Sequence, residues 1–136
     1  MRGREFLDLA RELVAGSRPY HWRGAIIHAY YGILLECRDI MTAWGLPALS
    51  RHQVHAAIRL RLMYASNPDL KKIGKDLEML VQHRNWANYD LQARPLFATA
   101  KAANDDVIIA AGALALLDAI NADPARRAAA IASIRP

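Results

Sequence analysis

Residues 83–90 read HRNWANYD. Arg84 offers a planar fork of N–H donors that matches a phosphate or carboxylate bidentately. Asn85 and Asn88 add amide donors and acceptors, Tyr89 a hydroxyl, and Trp86 a flat face on which a base can stack. The chemistry this points to is capture of an oxyanion, a phosphate above all. The structural alternative is that Arg84 pairs with Asp90 or caps helix carbonyls, where the macrodipole favours a cation by about 0.3–1 kcal/mol.

The segment that carries Arg84 makes the choice sharper. Leu70, Ile73, Leu77 and Leu80 follow one another at helical spacing, and the next position on that stripe is 84. A face that packs leucines therefore ends on a guanidinium. Burying it unpaired costs several kcal/mol, so Arg84 needs a carboxylate, carbonyls, water or a bound anion.

Almost every other segment also reads helical. An amphipathic helix is expected over about residues 3–15, with Phe6, Leu9, Ala10, Leu13 and Val14 on one side. GSRP at 16–19 breaks the chain, and a long apolar helix follows over about 20–44, stopped by Gly45 and Pro47. Ser50 and Gln53 form a capping-box pattern that opens a third helix to about Ala65. Asn67 and Pro68 open a fourth, expected to end near Trp86, with 88–95 as a loop. Pro95 is expected to open a fifth helix ending near Asn121, and Asp123 with Pro124 to cap a short terminal one. No run shows strand periodicity. The expected architecture is all-α, an up-and-down four-helix bundle with additional short helices. It forms a single domain over 1–136, with its core at about 5–120 and a terminal helix over 121–136.

The bulk numbers set limits on function. Hydrophobic residues at 54% suffice for one core, and a lone Cys37 excludes an internal disulfide or a multi-cysteine zinc site. That usage fits a reducing compartment, and a cytoplasmic location is expected. The apolar run at 107–117 is too short to span a bilayer, so no membrane partner is expected. The net charge is +5, and its excess lies in residues 51–94, which hold eight Arg/Lys against four Asp/Glu. Phosphates are one partner that such a surface attracts; plain solubility is the other explanation.

Further candidates flank the motif. Arg51, His55 and Arg59 recur every four residues and, with Lys71, Lys72 and Lys75, could track phosphates or simply form a solvated face. His52 and His55 have metal-ligand spacing but no acidic or cysteine neighbour, so no metal site is expected. No phosphate-binding loop, dinucleotide fingerprint or nucleophile elbow occurs, and no cofactor is implied. The third and fourth helices could pass for a DNA-reading pair, but Asp76 and Glu78 make the fourth a poor reader of DNA. Gly24, His28, Gly32 and Glu36 share one helical face, which suggests a close approach to the backbone, with His28 able to move protons.

Two stretches together resemble a known family. HAYYGILLECRDIM is similar to the R-A-Y-Y-A-x-F-H-A-A-R-x-L-L helix of HEPN domains, and HRNWANYD to their R-x-x-A-D-Y-D ending. The resemblance covers about residues 5–120. It implies a helical bundle that pairs as a homodimer and acts on RNA or nucleotides. It further implies a toxin or defence role, metal-independent endoribonuclease chemistry in the catalytic members, and a partner such as a nucleotidyltransferase or antitoxin. Carried across, the phosphate-steadying arginine falls on Arg84 and the polar residue after it on Asn85. The proton-moving histidine falls on Tyr89, and a phenol accepts protons poorly at neutral pH. His28 stands where the family helix begins with arginine, and Leu35 where it has histidine. The candidate catalytic set is therefore Arg84, Asn85, Tyr89 and, as substitute proton carriers, His28 or His83. The candidate RNA-binding set is Arg84, Trp86, Asn88, Arg51 and Arg59. A non-catalytic module of the same fold is the alternative.

Overall fold

The computed structural model describes residues 1–134; the last two positions of the expected terminal helix lie outside them. All regular structure among the described residues is helical. The helices are α1 (Arg4–Val14), α2 (Pro19–Ala43), α3 (Val54–Tyr64), α4 (Pro68–Tyr89), α5 (Lys101–Ala122) and α6 (Pro124–Ser133), with a single 3-10 turn at Pro95–Phe97. No single helix is long and apolar enough to cross a membrane.

The longest helix, α2, is the central element and packs against α1, α3, α4 and α5. Its buried residues, among them Ile26, Tyr30, Ile33, Leu34 and Cys37, occur all round it rather than on one stripe. Burial pushes the Cys37 thiol up to about 12, which keeps it protonated and unreactive. The stop at its end is a Schellman closure. Gly45 adopts φ 85°, its N–H donates to the Thr42 carbonyl, and the N–H of Leu46 donates to Met41.

The Gly24–Glu36 face of α2 receives α1. A side chain at Gly32 would meet the backbone nitrogen of Leu7 at 3.2 Å, and one at Gly24 would meet Leu13 at 3.1 Å. Small residues let the two helices touch. Glu36 closes the far end of this seam. It is 1% exposed and accepts from the Arg4 Nε at 2.9 Å, the Arg4 backbone nitrogen at 3.0 Å and the Arg2 Nη2 at 3.2 Å. Arg4 also reaches Asp118 on α5 at 3.0 Å. These bonds hold the Glu36 carboxylate below its usual range.

Three local expectations differ from the structure. The Ser50–Gln53 contact forms, with the Ser50 N–H donating to Gln53 Oε1 at 3.3 Å. It closes a turn, however, because the Ser50 carbonyl takes the N–H groups of both Gln53 and Val54, and α3 starts only at Val54. Pro95 opens one 3-10 turn rather than a helix. That turn buries Phe97 beneath the Arg23 guanidinium, 4.0 Å above the ring, and α5 starts afresh at Lys101. The fourth helix continues to Tyr89, its last carbonyls held by Arg23. The asparagine and aspartate caps hold. Asn67 accepts from Asp69 and Leu70, and Asp123 from Ala125 and Arg126.

The Glu36 seam is testable. Glu36→Ala strands Arg4 beside a buried void and should cost about 3 kcal/mol or more in urea denaturation. Arg2→Ala, removing a partner that is mostly solvated, should cost about 1 kcal/mol or less. Equal losses would contradict the account.

Candidate functional site

The site begins with what keeps α4 helical past Trp86. The last carbonyls of a helix lack internal partners. Here Arg23 of α2 supplies them from outside. Its Nη1 donates to the carbonyls of Trp86 (3.3 Å), Ala87 (3.0 Å) and Asp90 (2.6 Å), and its Nη2 to Gln92 (2.9 Å). One guanidinium thus holds the end of α4 and the loop after it against α2. Arg94 then folds back onto Asp90 in an ion pair and lies 5.2 Å over the Trp86 ring. Asp90 is thereby committed to Arg94 and not to Arg84.

The stripe on α4 is as expected: Leu70, Ile73, Leu77 and Leu80 are all buried, and Arg84 follows them, half-buried. Its Nη2 donates to the Tyr31 hydroxyl at 2.5 Å and its Nη1 to Asn85 Oδ1 at 2.9 Å. Its carbon centre lies 5.3 Å from the Tyr31 ring centre and 5.7 Å from that of Tyr89. Its Nε is out of solvent and has no hydrogen-bond partner. Among the described residues no carboxylate pairs with it. A phenol, an amide and two ring faces are what the fold offers this cation.

Tyr31 leads to a second group. His55 of α3 lies edge-on to Tyr31 at 5.8 Å and stacks near-parallel on Tyr30 at 5.7 Å. Its Nδ1 shares a hydrogen bond of 2.7 Å with the Tyr30 hydroxyl. Burial pushes Tyr30 up to about 12, so it stays a phenol. Burial also pulls His55 below its ordinary value, and the charges of Arg84 and Arg59 pull it in the same direction. His55 is therefore a neutral imidazole at neutral pH, facing two cations. Three helices thus meet at one place: α2 through Tyr30 and Tyr31, α3 through His55, and α4 through Arg84.

Other expected residues fall elsewhere. Tyr89 is beside Arg84 and 72% exposed. Asn88 is exposed. Trp86 faces away from Arg84, stacked on His83 and under Arg94. His28 packs on Phe6 at 5.4 Å with its Nδ1 on the Gly24 carbonyl at 2.7 Å, in the seam with α1. His83 is held by Asp106 of α5 through Nδ1 at 2.9 Å. Neither histidine is hydrogen-bonded to Arg84. Arg51 and His52 are exposed in the turn before α3, Lys72 pairs with Asp76, and Lys71 caps the Met63 carbonyl. No cluster of metal-ligating side chains occurs among the described residues. A cavity of about 670 Å³, lined by Pro19, Leu91, Pro95 and Phe97, lies by the Arg23 clamp. It is apolar and does not include Arg84.

Sequence reasoning missed Arg23 as a clamp, Tyr31 as the partner of Arg84, and the buried Asp106. The tyrosine was visible in the AYY triplet, though nothing in the spacing tied it to Arg84, 53 residues away. Compared with known protein families, with curated proteins and with solved structures, the chain has no match in any of the three.

Two expectations follow. Arg23→Ala should fray the end of α4, seen as faster amide exchange at Trp86 to Tyr89 with the rest of α4 unchanged; uniform protection would contradict the clamp. The hydrogen bond from Asp106 raises His83 above its ordinary value. The stabilisation from this pair is therefore complete below about pH 6.5 and fades as pH rises through the higher folded value. Asp106→Asn should abolish that slope in a pH series of denaturation curves, and an unchanged slope would contradict the pairing.

Proposed function

We propose that this chain is a HEPN-like RNA- or nucleotide-binding protein whose phosphate is received at Arg84. The observation that carries the reading is the guanidinium itself. It is half-buried, meets no carboxylate of the described residues, and holds one N–H out of water with no acceptor among them. Leaving a buried donor unmade costs about 1–3 kcal/mol, more for a charged group. An acceptor that reaches this N–H offsets the cost, and none of the described residues supplies one. Asn85 and Tyr31 fix the orientation of the fork, and Tyr89 adds an exposed ring and hydroxyl at its edge. The homodimer, the toxin or defence role and a nucleotidyltransferase or antitoxin partner belong to the same proposal, on the resemblance of HAYYGILLECRDIM and HRNWANYD.

Binding and cleavage are separate readings of this site. The non-catalytic module is favoured by one feature: Tyr89 stands at the family's histidine position, while His28 and His83 are engaged with Gly24 and Asp106. The endoribonuclease reading requires a proton carrier at Arg84.

Both are tested with single-stranded RNA in EDTA. Arg84→Ala should weaken binding about tenfold or more by fluorescence anisotropy, with helicity unchanged. Arg84→Lys should recover part of it, since an ammonium keeps the charge and loses the fork. Equal affinity for wild type and R84A would overturn the proposal. RNA left intact by wild type favours the module, and fragments ending in cyclic phosphate favour the nuclease.

A further inference from the structure

The cavity beside the Arg23 clamp does not include Arg84, and its chemistry is different. We infer that it is a binding site for a small apolar monoanion, a carboxylic acid with an aromatic or alkyl body, in which the apolar walls take the body and the Arg94 guanidinium takes the carboxylate. Such a site is independent of the phosphate reading of Arg84.

The chain builds this cavity and then leaves it open. Pro19 begins α2 and Pro95 begins the 3-10 turn, so two rings with a fixed φ form part of its wall. Phe97 is buried, with the Arg23 guanidinium packed over its ring. Leu91, on the same loop, also lines the cavity, yet it is 82% exposed and does not fill it. Pro19, Arg94 and Pro95 are exposed as well, so a solute can enter from solvent. The volume, about 670 Å³, falls within the roughly 300–1,000 Å³ of small-molecule sites. Apolar surface left in water around such a concavity is what the body of a ligand covers.

Charge decides the ligand's other end. Arg23 and Arg94 line the cavity, and no aspartate or glutamate does. Arg23 donates only to main-chain carbonyls. Among the described residues, the one carboxylate bonded to either arginine is Asp90, which pairs with Arg94. Two positive charges therefore meet one negative charge, and a single negative charge on the ligand completes the balance. The donor for it is at hand. The Asp90 pair engages Nε and Nη2 of Arg94, while Nη1 makes no hydrogen bond among the described residues and the side chain is 42% exposed. A guanidinium bonds a carboxylate by a charge-assisted hydrogen bond, and apolar walls screen that contact less than open water does. The walls supply affinity and the guanidinium fixes the orientation.

The experiment follows the amide NMR spectrum of the full chain at neutral pH during titration with 2-naphthoate and with its neutral counterpart 2-naphthalenemethanol. Naphthoate should shift the amides of Leu91, Ala93 and Ala98, leave that of Asn85 in place, and bind about tenfold more tightly than the alcohol. Arg94→Gln should bring the acid down to the affinity of the alcohol. Leu91→Ser, at a position already in water, should keep the fold and weaken both compounds about threefold. Arg84→Ala should change neither affinity. Equal affinity of wild type for acid and alcohol, or an undiminished preference for the acid in R94Q, would overturn the anion site. Equal binding of both compounds by wild type and L91S, or no binding of either by wild type, would overturn the cavity as the place of binding. Loss of naphthoate binding in R84A would overturn the inference by sending the acid to Arg84. The RNA reading of Arg84 stands under each of these results.

Discussion

The guanidinium of Arg84 is held by a phenol and an amide where a buried cation would ordinarily meet a carboxylate. That substitution constrains much of the molecule around it. Tyr31 can present its hydroxyl only because α2 packs along α4, and α2 stays there because Arg23, eight residues earlier in the same helix, ties down the end of α4. The two arginines do opposite work. Arg23 aims both Nη groups at main-chain carbonyls and serves the fold. Arg84 keeps a donor in reserve.

Buried charge elsewhere in the protein is compensated. Glu36 has Arg4 and Arg2, Asp106 has His83, and half-buried Asp90 has Arg94. Against that background, the lack of an acidic partner at Arg84 is a local departure rather than a general looseness. A fold selected for stability alone would place a carboxylate beside Arg84 or replace the arginine with a leucine to continue the α4 stripe. Keeping the cation costs stability, and such costs concentrate at sites that bind something.

The helices were legible because their signals are local. Asn67-Pro68, Asp123-Pro124 and Gly45 each punctuate the chain through their own backbone chemistry, and the Leu70–Leu80 stripe locates Arg84 by periodicity. The errors occur where a distant residue decides. The end of α4 is set by Arg23, and the turn at Pro95 by the burial of Phe97 under the same guanidinium. The site was half legible for the same reason. Arg84, Asn85 and Tyr89 are neighbours in sequence and stay together, whereas Trp86, Asn88 and His28 do not join them. At about 100° per residue, adjacent helical positions face different ways, so His83 turns to Asp106 of α5 and Trp86 lies under Arg94, while Arg84 turns to α2. Spacing alone puts His55 on a basic face with Arg51 and Arg59, phosphate-tracking or solvated, and its contact with Tyr30 arises only from how α3 is laid on α2.

The most direct measurement follows the Arg84 Nε–H resonance by NMR while adenosine 5′-monophosphate is added. The account requires a resolved Nε–H signal, shielded from exchange in the free protein, that moves downfield in proportion to ligand bound as the donor gains an acceptor. A resonance that stays in place through saturation, while other residues respond, would show that the anion goes elsewhere and that Arg84 is only a costly piece of the core.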